Sequence, residues 1–121
     1  MKRDMELIRK MVLAVEDEPT AFAPTDLNFP GYISKQIGYH AHLLIEGGYA
    51  KGFDATNHDS SGPEAVLTSL TWKGHEFVDA ARDESRWKKA TGIVKEKSGS
   101  VTIDVLTQLL VELMKRTIGL P

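Results

Sequence analysis

The hydrophobic pattern of the first third of the chain predicts one amphipathic helix followed by an irregular stretch. In 3–16, apolar residues recur at intervals of three and four with charged residues between them, and Asp4 is placed to cap this helix. The following stretch to residue 33 contains three prolines, which exclude a regular helix there. Leu27 and Phe29 alternate with polar residues and predict a short strand within it.

A second helix and a hairpin are predicted in the middle of the chain. The helix runs from Ser34, as its cap, to Glu46, and Gly47-Gly48 ends it because glycine accepts the left-handed conformation past a helix C-terminus. Two strands are predicted at 49–55 and 65–70. The segment between them is polar and rich in turn residues, so the two strands are expected to pair as a hairpin.

The last part of the chain is predicted to be helical. Thr71 caps a helix that continues to about Arg82, and a new helix starts at Asp83 or Ser85 and runs toward 93–94. Gly92 and the 98–100 segment are expected to break helices. The final helix covers about 101–118 and carries a broad apolar stripe.

This order of elements predicts a winged-helix-like fold of the α+β class, mainly α. In 44–52 a helix ends in glycine and an aromatic residue begins a strand, and in 70–77 a strand turns through a threonine cap into a helix. We expect one domain over 1–121, with a core in 1–82, a wing at about 49–70 and a C-terminal helical extension in 83–121.

Composition and charge narrow the classes of function. Of the 121 residues, 41% are hydrophobic and 26% are charged, which is ordinary for a globular protein, and cysteine is absent. The chain shows no targeting segment and no apolar stretch long enough to cross a membrane, so we expect a cytoplasmic protein. Residues 1–64 carry six Lys/Arg against ten Asp/Glu, whereas 65–121 carry nine against seven, and most of that positive excess lies in 82–97.

Three segments resemble a known family. They are 1–10, 38–44 (Gly-Tyr-His-Ala-His-Leu-Leu) and 70–83, the last together with Trp87. They are similar to the uncharacterised bacterial and phage family numbered 2513 among the domains of unknown function, over nearly the whole chain. The resemblance implies a winged-helix-like fold and a phage or prophage setting, and it brings no established activity and no catalytic residues.

Candidate DNA contacts lie on the second helix, the wing and the basic segment. Side chains suited to a groove are Lys35, Gln36, Tyr39 and His42; Lys51 is suited to a phosphate at the wing, and Arg86, Lys88 and Lys89 to flanking phosphates. The alternatives are that Tyr39 and His40 pack against the first helix and the wing, and that the basic segment is a solvated helix face with Trp87 in the core. The wing is acidic, and a positioning helix is missing before the second helix.

Metal and catalytic sites find no support in the spacing of the candidate residues. His40 and His42 are two residues apart, which points them to different faces of a helix, whereas helical metal pairs are three or four apart. No nucleophile lies at a preferred spacing from a base. We therefore expect no metal, no cofactor and no enzymatic activity.

The final helix has a wider apolar stripe than a lone helix on a small domain requires. The residues that suggest burial against a second copy of the chain are Val105, Leu106, Leu109, Leu110 and Leu113. Burial in the chain's own core explains the same stripe, so both alternatives stay open. The sequence thus predicts a DNA-binding regulator, with a protein-interaction module that binds a host or phage protein as the alternative.

Overall fold

Five helices and one antiparallel hairpin make up the described residues, 1–97 and 102–119, of this computed structural model. The helices are α1 (Met5–Glu16), α2 (Ser34–Glu46), α3 (Trp72–Ala81), α4 (Glu84–Lys97) and α5 (Ile103–Thr117), and the strands are β1 (Ala50–Asp54) and β2 (Ala65–Leu70). The predicted mainly helical α+β class with a hairpin is confirmed. In these two ranges, no helix is long and apolar enough to cross a membrane.

The chain divides into two compact units, Met1–His75 and Glu76–Pro121, with the boundary inside α3. The first unit holds α1, α2 and the hairpin, and the second holds α4 and α5. The prediction of one domain over 1–121, with its core in 1–82, stays a prediction.

The core of the first unit forms where α1 and α2 pack against each other and against β2. The Asp4 side chain caps α1 as predicted, because its Oδ1 accepts the Leu7 N–H at 3.1 Å. Burying each large aliphatic side chain stabilises the fold by about 1.5–3 kcal/mol. The buried apolar residues of these elements include Leu7, Ile8, Met11, Val12 and Val15 from α1, Ile37, Ala41 and Leu44 from α2, and Leu67 and Leu70 from β2.

The hairpin contains a bulge between Lys51 and Gly52. Lys51 pairs with Ser69 and Gly52 with Leu67, which leaves Thr68 as the extra residue of β2. Glycine is needed at position 52, since a Cβ there would overlap the Val66 carbonyl oxygen. The bulge therefore depends on the close approach of two backbones.

The second unit is built on the packing of α4 against α5. Asp83 caps α4, with its Oδ1 accepting the Arg86 N–H at 2.7 Å, so Asp83 is the cap among the two predicted start residues. Trp87 is 1% exposed and meets the Phe77 ring edge-on at a centroid distance of 6.3 Å. The interpretation of Trp87 as a core residue is thereby confirmed.

The predicted strand at Leu27 and Phe29 is wrong, because these residues form no strand. Pro24 and Pro30 flank the segment, and a proline provides no N–H for a ladder. A backbone hydrogen bond tethers the segment to the sheet instead, from the Thr25 N–H to the Leu67 carbonyl at 2.8 Å.

Two local predictions in the helices are also corrected. Ser34 is the first helical residue rather than the cap; the cap is Ile33, whose N–H donates to the Gln36 side-chain oxygen at 2.9 Å. Gly92 lies inside α4 and does not break it, because a glycine in a helix costs only about 1 kcal/mol. Burial of Trp87 and Ala90 on the same helix offsets that cost. The predicted breaker at 98–100 lies outside the described residues.

Candidate nucleic-acid interface

A buried hydrogen-bond network fixes the rotation of α2. His40 is 1% exposed; its Nε2 accepts the Asp4 N–H at 2.8 Å, and its Nδ1 donates to the Gln36 carbonyl at 2.8 Å. These partners assign a neutral imidazole with its proton on Nδ1. His40 is therefore a core residue that ties α2 to the start of α1. This agrees with the alternative that His40 packs within the protein and does not contact DNA.

Tyr32 extends this network through the capping carboxylate. Its hydroxyl donates to Asp4 Oδ2 at 3.0 Å, while Asp4 Oδ1 remains bonded to α1. Burial raises the pKa of Tyr32, and the hydrogen bond to Asp4 and the negative charges of Asp4 and Glu6 raise it further. One aspartate thus joins the cap of α1, the buried histidine and the approach to α2.

The outward face of α2 carries three of the four predicted groove residues. Lys35 is exposed, and Tyr39 and His42 are half-buried with their rings stacked at 6.2 Å between centroids and 26° between planes. His42 Nε2 also lies 3.5 Å from Glu46 Oε2. This face offers a cation and a pair of stacked rings with hydrogen-bonding edges.

Gln36 is less free than the sequence suggests. Its side-chain oxygen accepts the Ile33 N–H at the start of α2, so the amide cannot use both its oxygen and its nitrogen on an adenine edge without releasing the cap. The sequence feature that indicates this capping role is a glutamine three residues after the cap residue.

The tip of the hairpin lies against the N-terminal half of α2. A cavity of about 220 Å³ is bounded there by Met1, Lys35, Tyr39, Ser61, Gly62, Pro63 and Glu64. The Glu64 carboxylate is so close to Gly38 that a Cβ at that position would lie 2.6 Å from its Oε1. Glu64 therefore places negative charge beside Lys35 and Tyr39.

Lys51 is exposed on β1, as its predicted phosphate contact requires. Its neighbour Phe53 is 51% exposed on the same strand. The Asp54 carboxylate at the end of β1 accepts the Thr56 hydroxyl at 2.6 Å, which stabilises the start of the loop. The outer surface of the hairpin thus mixes a cation with an apolar ring.

The second unit brings two of the three predicted phosphate residues together with one that the sequence interpretation missed. Arg86 and Lys89 lie on one side of a cavity of about 430 Å³, and Arg116 of α5 lies on the other. Lys88 does not bound this cavity; its Nζ lies 3.8 Å from Glu84 Oε1 on the exposed surface of α4. Arg116 was missed because it lies 27 residues after Lys89 in the sequence and outside the basic segment 82–97.

The five apolar residues suggested for a dimer contact separate into two groups. Leu106, Leu110 and Leu113 are buried by the protein's own chain. Val105 is 51% exposed and Leu109 is half-buried. Only Val105 and Leu109 remain available to a second copy.

In the described part of the chain, no three His, Cys, Asp or Glu side chains gather at metal-binding distances. With five helices and one hairpin in its described residues, the molecule is a small mainly helical α+β protein. The chain belongs to the family described as "Hypothetical protein (DUF2513)", which matches residues 2–100.

A relative with a similar length supports this assignment. An uncharacterized protein of Haemophilus influenzae is 31% identical over 112 residues, which are 90% of this chain and 92% of the relative. No solved structure matches the chain. The predicted family is therefore confirmed, at the level of sequence.

Proposed function

We propose that the protein is a DNA-binding transcriptional regulator without enzymatic activity. It acts in the cytoplasm, in the phage or prophage setting that the family resemblance implies. In this proposal the scaffold is a winged helix, in which α2 enters the major groove and the hairpin is the wing. The observation that carries it is the outward face of α2, where Lys35, Tyr39 and His42 project from a helix whose rotation is fixed by His40.

Rigidity of α2 supports this role. Recognition of base edges needs donors and acceptors held within a fraction of an ångström. The Gln36 carbonyl orients the His40 ring within α2, and the Asp4 N–H ties that ring to the start of α1, so a rotation of α2 would break the hydrogen bond between Asp4 and His40. The stacked Tyr39 and His42 rings restrict each other on the outer side.

Phosphate contacts come from Lys51 in the hairpin and from Arg86, Lys88 and Lys89 in α4. The unit from Glu76 onward carries eight Lys/Arg against seven Asp/Glu, whereas Met1–His75 carries seven against ten. The second unit is thus the favourable one for the sequence-independent part of DNA binding, which rests on clustered cations.

The test is a titration of the full chain into mixed-sequence duplex DNA, followed by fluorescence anisotropy at several salt concentrations. The double substitution Lys88→Ala and Lys89→Ala is expected to reduce the slope of log affinity against log salt by about 2, because each lost phosphate contact releases about one counterion fewer. The control is Lys2→Ala with Lys10→Ala, which removes two exposed cations from the first unit. Absence of binding at low salt would refute the regulator.

A protein-interaction module is the second candidate, and exposed aromatic side chains favour it. Trp72 at the start of α3 is 83% exposed, and Phe53 is 51% exposed. Tryptophan is among the residues that dominate protein interfaces when buried there by a partner. If this candidate is right, the protein does not bind DNA at low salt. A host or phage protein that is isolated with the wild-type chain is then expected to bind the Trp72→Ala variant more weakly and the Lys35→Ala variant with unchanged affinity.

A further inference from the structure

The cavity of the second unit gathers positive charge from two helices. It lies between the first turns of α4 and the last turn of α5, and its volume is about 430 Å³. This volume is within the range of small-molecule pockets, about 300–1,000 Å³. The residues that bound it are Asp83, Ser85, Arg86, Lys89, Leu113, Arg116 and Thr117.

None of its three cations makes an ion pair in the described part of the chain. Neither Lys89 nor Arg116 makes an ion pair or a hydrogen bond there through its side chain. Their sequence neighbours differ, since Lys88 lies 3.8 Å from Glu84 and Lys115 lies 3.9 Å from Glu112. The cations that point to the cavity are thus those without an acidic partner.

The third cation, Arg86, is oriented by a weak contact. Its Nε donates to the Ala80 carbonyl at 3.4 Å, which leaves the other N–H groups of the guanidinium for a ligand. Arginine forks match the geometry of phosphate oxygens, and lysine adds a point charge. The N-terminus of α4 contributes a positive end of a helix dipole to the same cavity.

One acidic residue, Asp83, also borders the cavity and lowers its positive charge. Asp83 Oδ1 accepts the Arg86 N–H at 2.7 Å as the cap of α4, so this carboxylate is already committed to the helix. The Thr117 hydroxyl donates to the Leu113 carbonyl at 2.9 Å and can only accept from a ligand. Three cations against one carboxylate leave a net positive site.

We propose that this cavity is a phosphate site, in which Arg86, Lys89 and Arg116 hold the phosphate oxygens and Ser85 adds a hydroxyl donor. The phosphate belongs either to a small phosphorylated ligand or to the backbone of a nucleic acid, since the recognising chemistry is the same. The site does not depend on α2 and stands apart from the proposed role of that helix in DNA recognition.

The experiment is a titration of the full chain with inorganic phosphate, followed by amide NMR shifts at constant ionic strength, with sodium chloride as the reference salt. Phosphate is expected to shift the amides of 85–89 and 113–117 along saturating curves. Lys89→Ala and Arg116→Ala are each expected to weaken phosphate binding about tenfold, which corresponds to the loss of one charge-assisted contact. Lys95→Ala and Lys115→Ala remove the same charge from the same helices, at positions given no role in binding, and are expected to change it less than about twofold.

The variants should fold, because all four side chains lie at the surface or border the cavity, and Arg116→Gln gives a second test without the full loss of side-chain length. Phosphate shifts that are linear, or that are the same in Arg116→Ala and Lys115→Ala, overturn the site. A parallel titration with duplex DNA separates the two sources: loss of affinity for both ligands in Arg116→Ala assigns the site to nucleic acid, and loss for phosphate alone assigns it to a small ligand. Saturable phosphate binding without any DNA binding supports the site while refuting the regulator.

Discussion

His40 shows how one buried residue can connect two helices through a hydrogen bond. It is 1% exposed, and its Nε2 accepts the Asp4 N–H at the start of α1. The sequence placed His40 on the inner side of α2 but gave no sign of its partner, which lies 36 residues earlier. Helical periodicity identifies the buried face, whereas the partner depends on how α1 and α2 meet.

Replacing His40 by Phe is expected to lower the free energy of unfolding by about 2 kcal/mol. The larger phenyl ring leaves no cavity, but it must fit a fully buried position, and the Asp4 N–H loses its acceptor. Urea unfolding followed by circular dichroism measures the change. His42→Phe is the matched control, because His42 is half-exposed and a change within about 0.5 kcal/mol is expected there. Equal effects of the two substitutions would contradict the assigned role of His40.

Tyr32→Phe tests the same network from its outer end, through the dependence of stability on pH. Removing the hydroxyl is expected to cost about 1 kcal/mol near neutral pH, through the bond to Asp4. Because folding raises the pKa of Tyr32 above 10.0, that contribution is complete below pH 10.0 and is lost as the pH rises further. Wild type and Tyr32→Phe are therefore expected to converge in stability above that pH, and a difference that stays constant would be inconsistent with the raised pKa.

Helix starts were predictable from sequence where a side chain caps the helix and not where the backbone is satisfied otherwise. Asp4, Thr71 and Asp83 were identified from the sequence and cap the next helix, with Thr71 Oγ1 accepting the Gly74 N–H at 3.1 Å. At α2 the cap is Ile33, whose side chain has no polar atom, and the bond comes from Gln36. A polar residue at the cap position indicates a side-chain cap directly. A bond from a later glutamine back to the cap N–H is indicated only weakly by the sequence.

Gly92 provides a test at the scale of one helix. A Cβ at this position would meet nothing within 4 Å, and alanine has the higher helix propensity. Gly92→Ala is expected to raise the free energy of unfolding by about 1 kcal/mol, as measured by urea denaturation. Gly52→Ala is the contrasting substitution, because its Cβ would overlap the Val66 carbonyl oxygen, and it is expected to be destabilising. A destabilised Gly92→Ala would show that α4 needs the glycine.

At the scale of the whole molecule, the distribution of charge could be predicted from the sequence, but the phosphate site could not. The positive excess of the second half is a matter of counting, and it pointed to Arg86, Lys88 and Lys89. The packing of α4 against α5 shows that Lys89 borders the cavity and that Lys88 does not. The same packing brings Arg116 of α5 to the cavity. Residues that are adjacent in sequence point in different directions on a helix, whereas residues on neighbouring helices converge.

A regulator that binds two half-sites of DNA acts as a dimer, so the proposed function makes a prediction about the oligomeric state. We propose that α5 forms the dimer contact through Val105 and Leu109, the members of its apolar stripe that the protomer does not bury. Val105→Glu is expected to convert the dimer into single chains of 13.4 kDa, as measured by light scattering after size-exclusion chromatography, without loss of thermal stability.

Gln108→Glu is the matched control, since it adds the same charge at an exposed position of α5 and is expected to leave the mass unchanged. A wild-type mass of one chain would remove the dimer and with it the simplest geometry for a palindromic DNA site. A dimer that persists in Val105→Glu would place the contact elsewhere, and the stripe on α5 would then be explained by the burial of Leu106, Leu110 and Leu113 in the protomer alone.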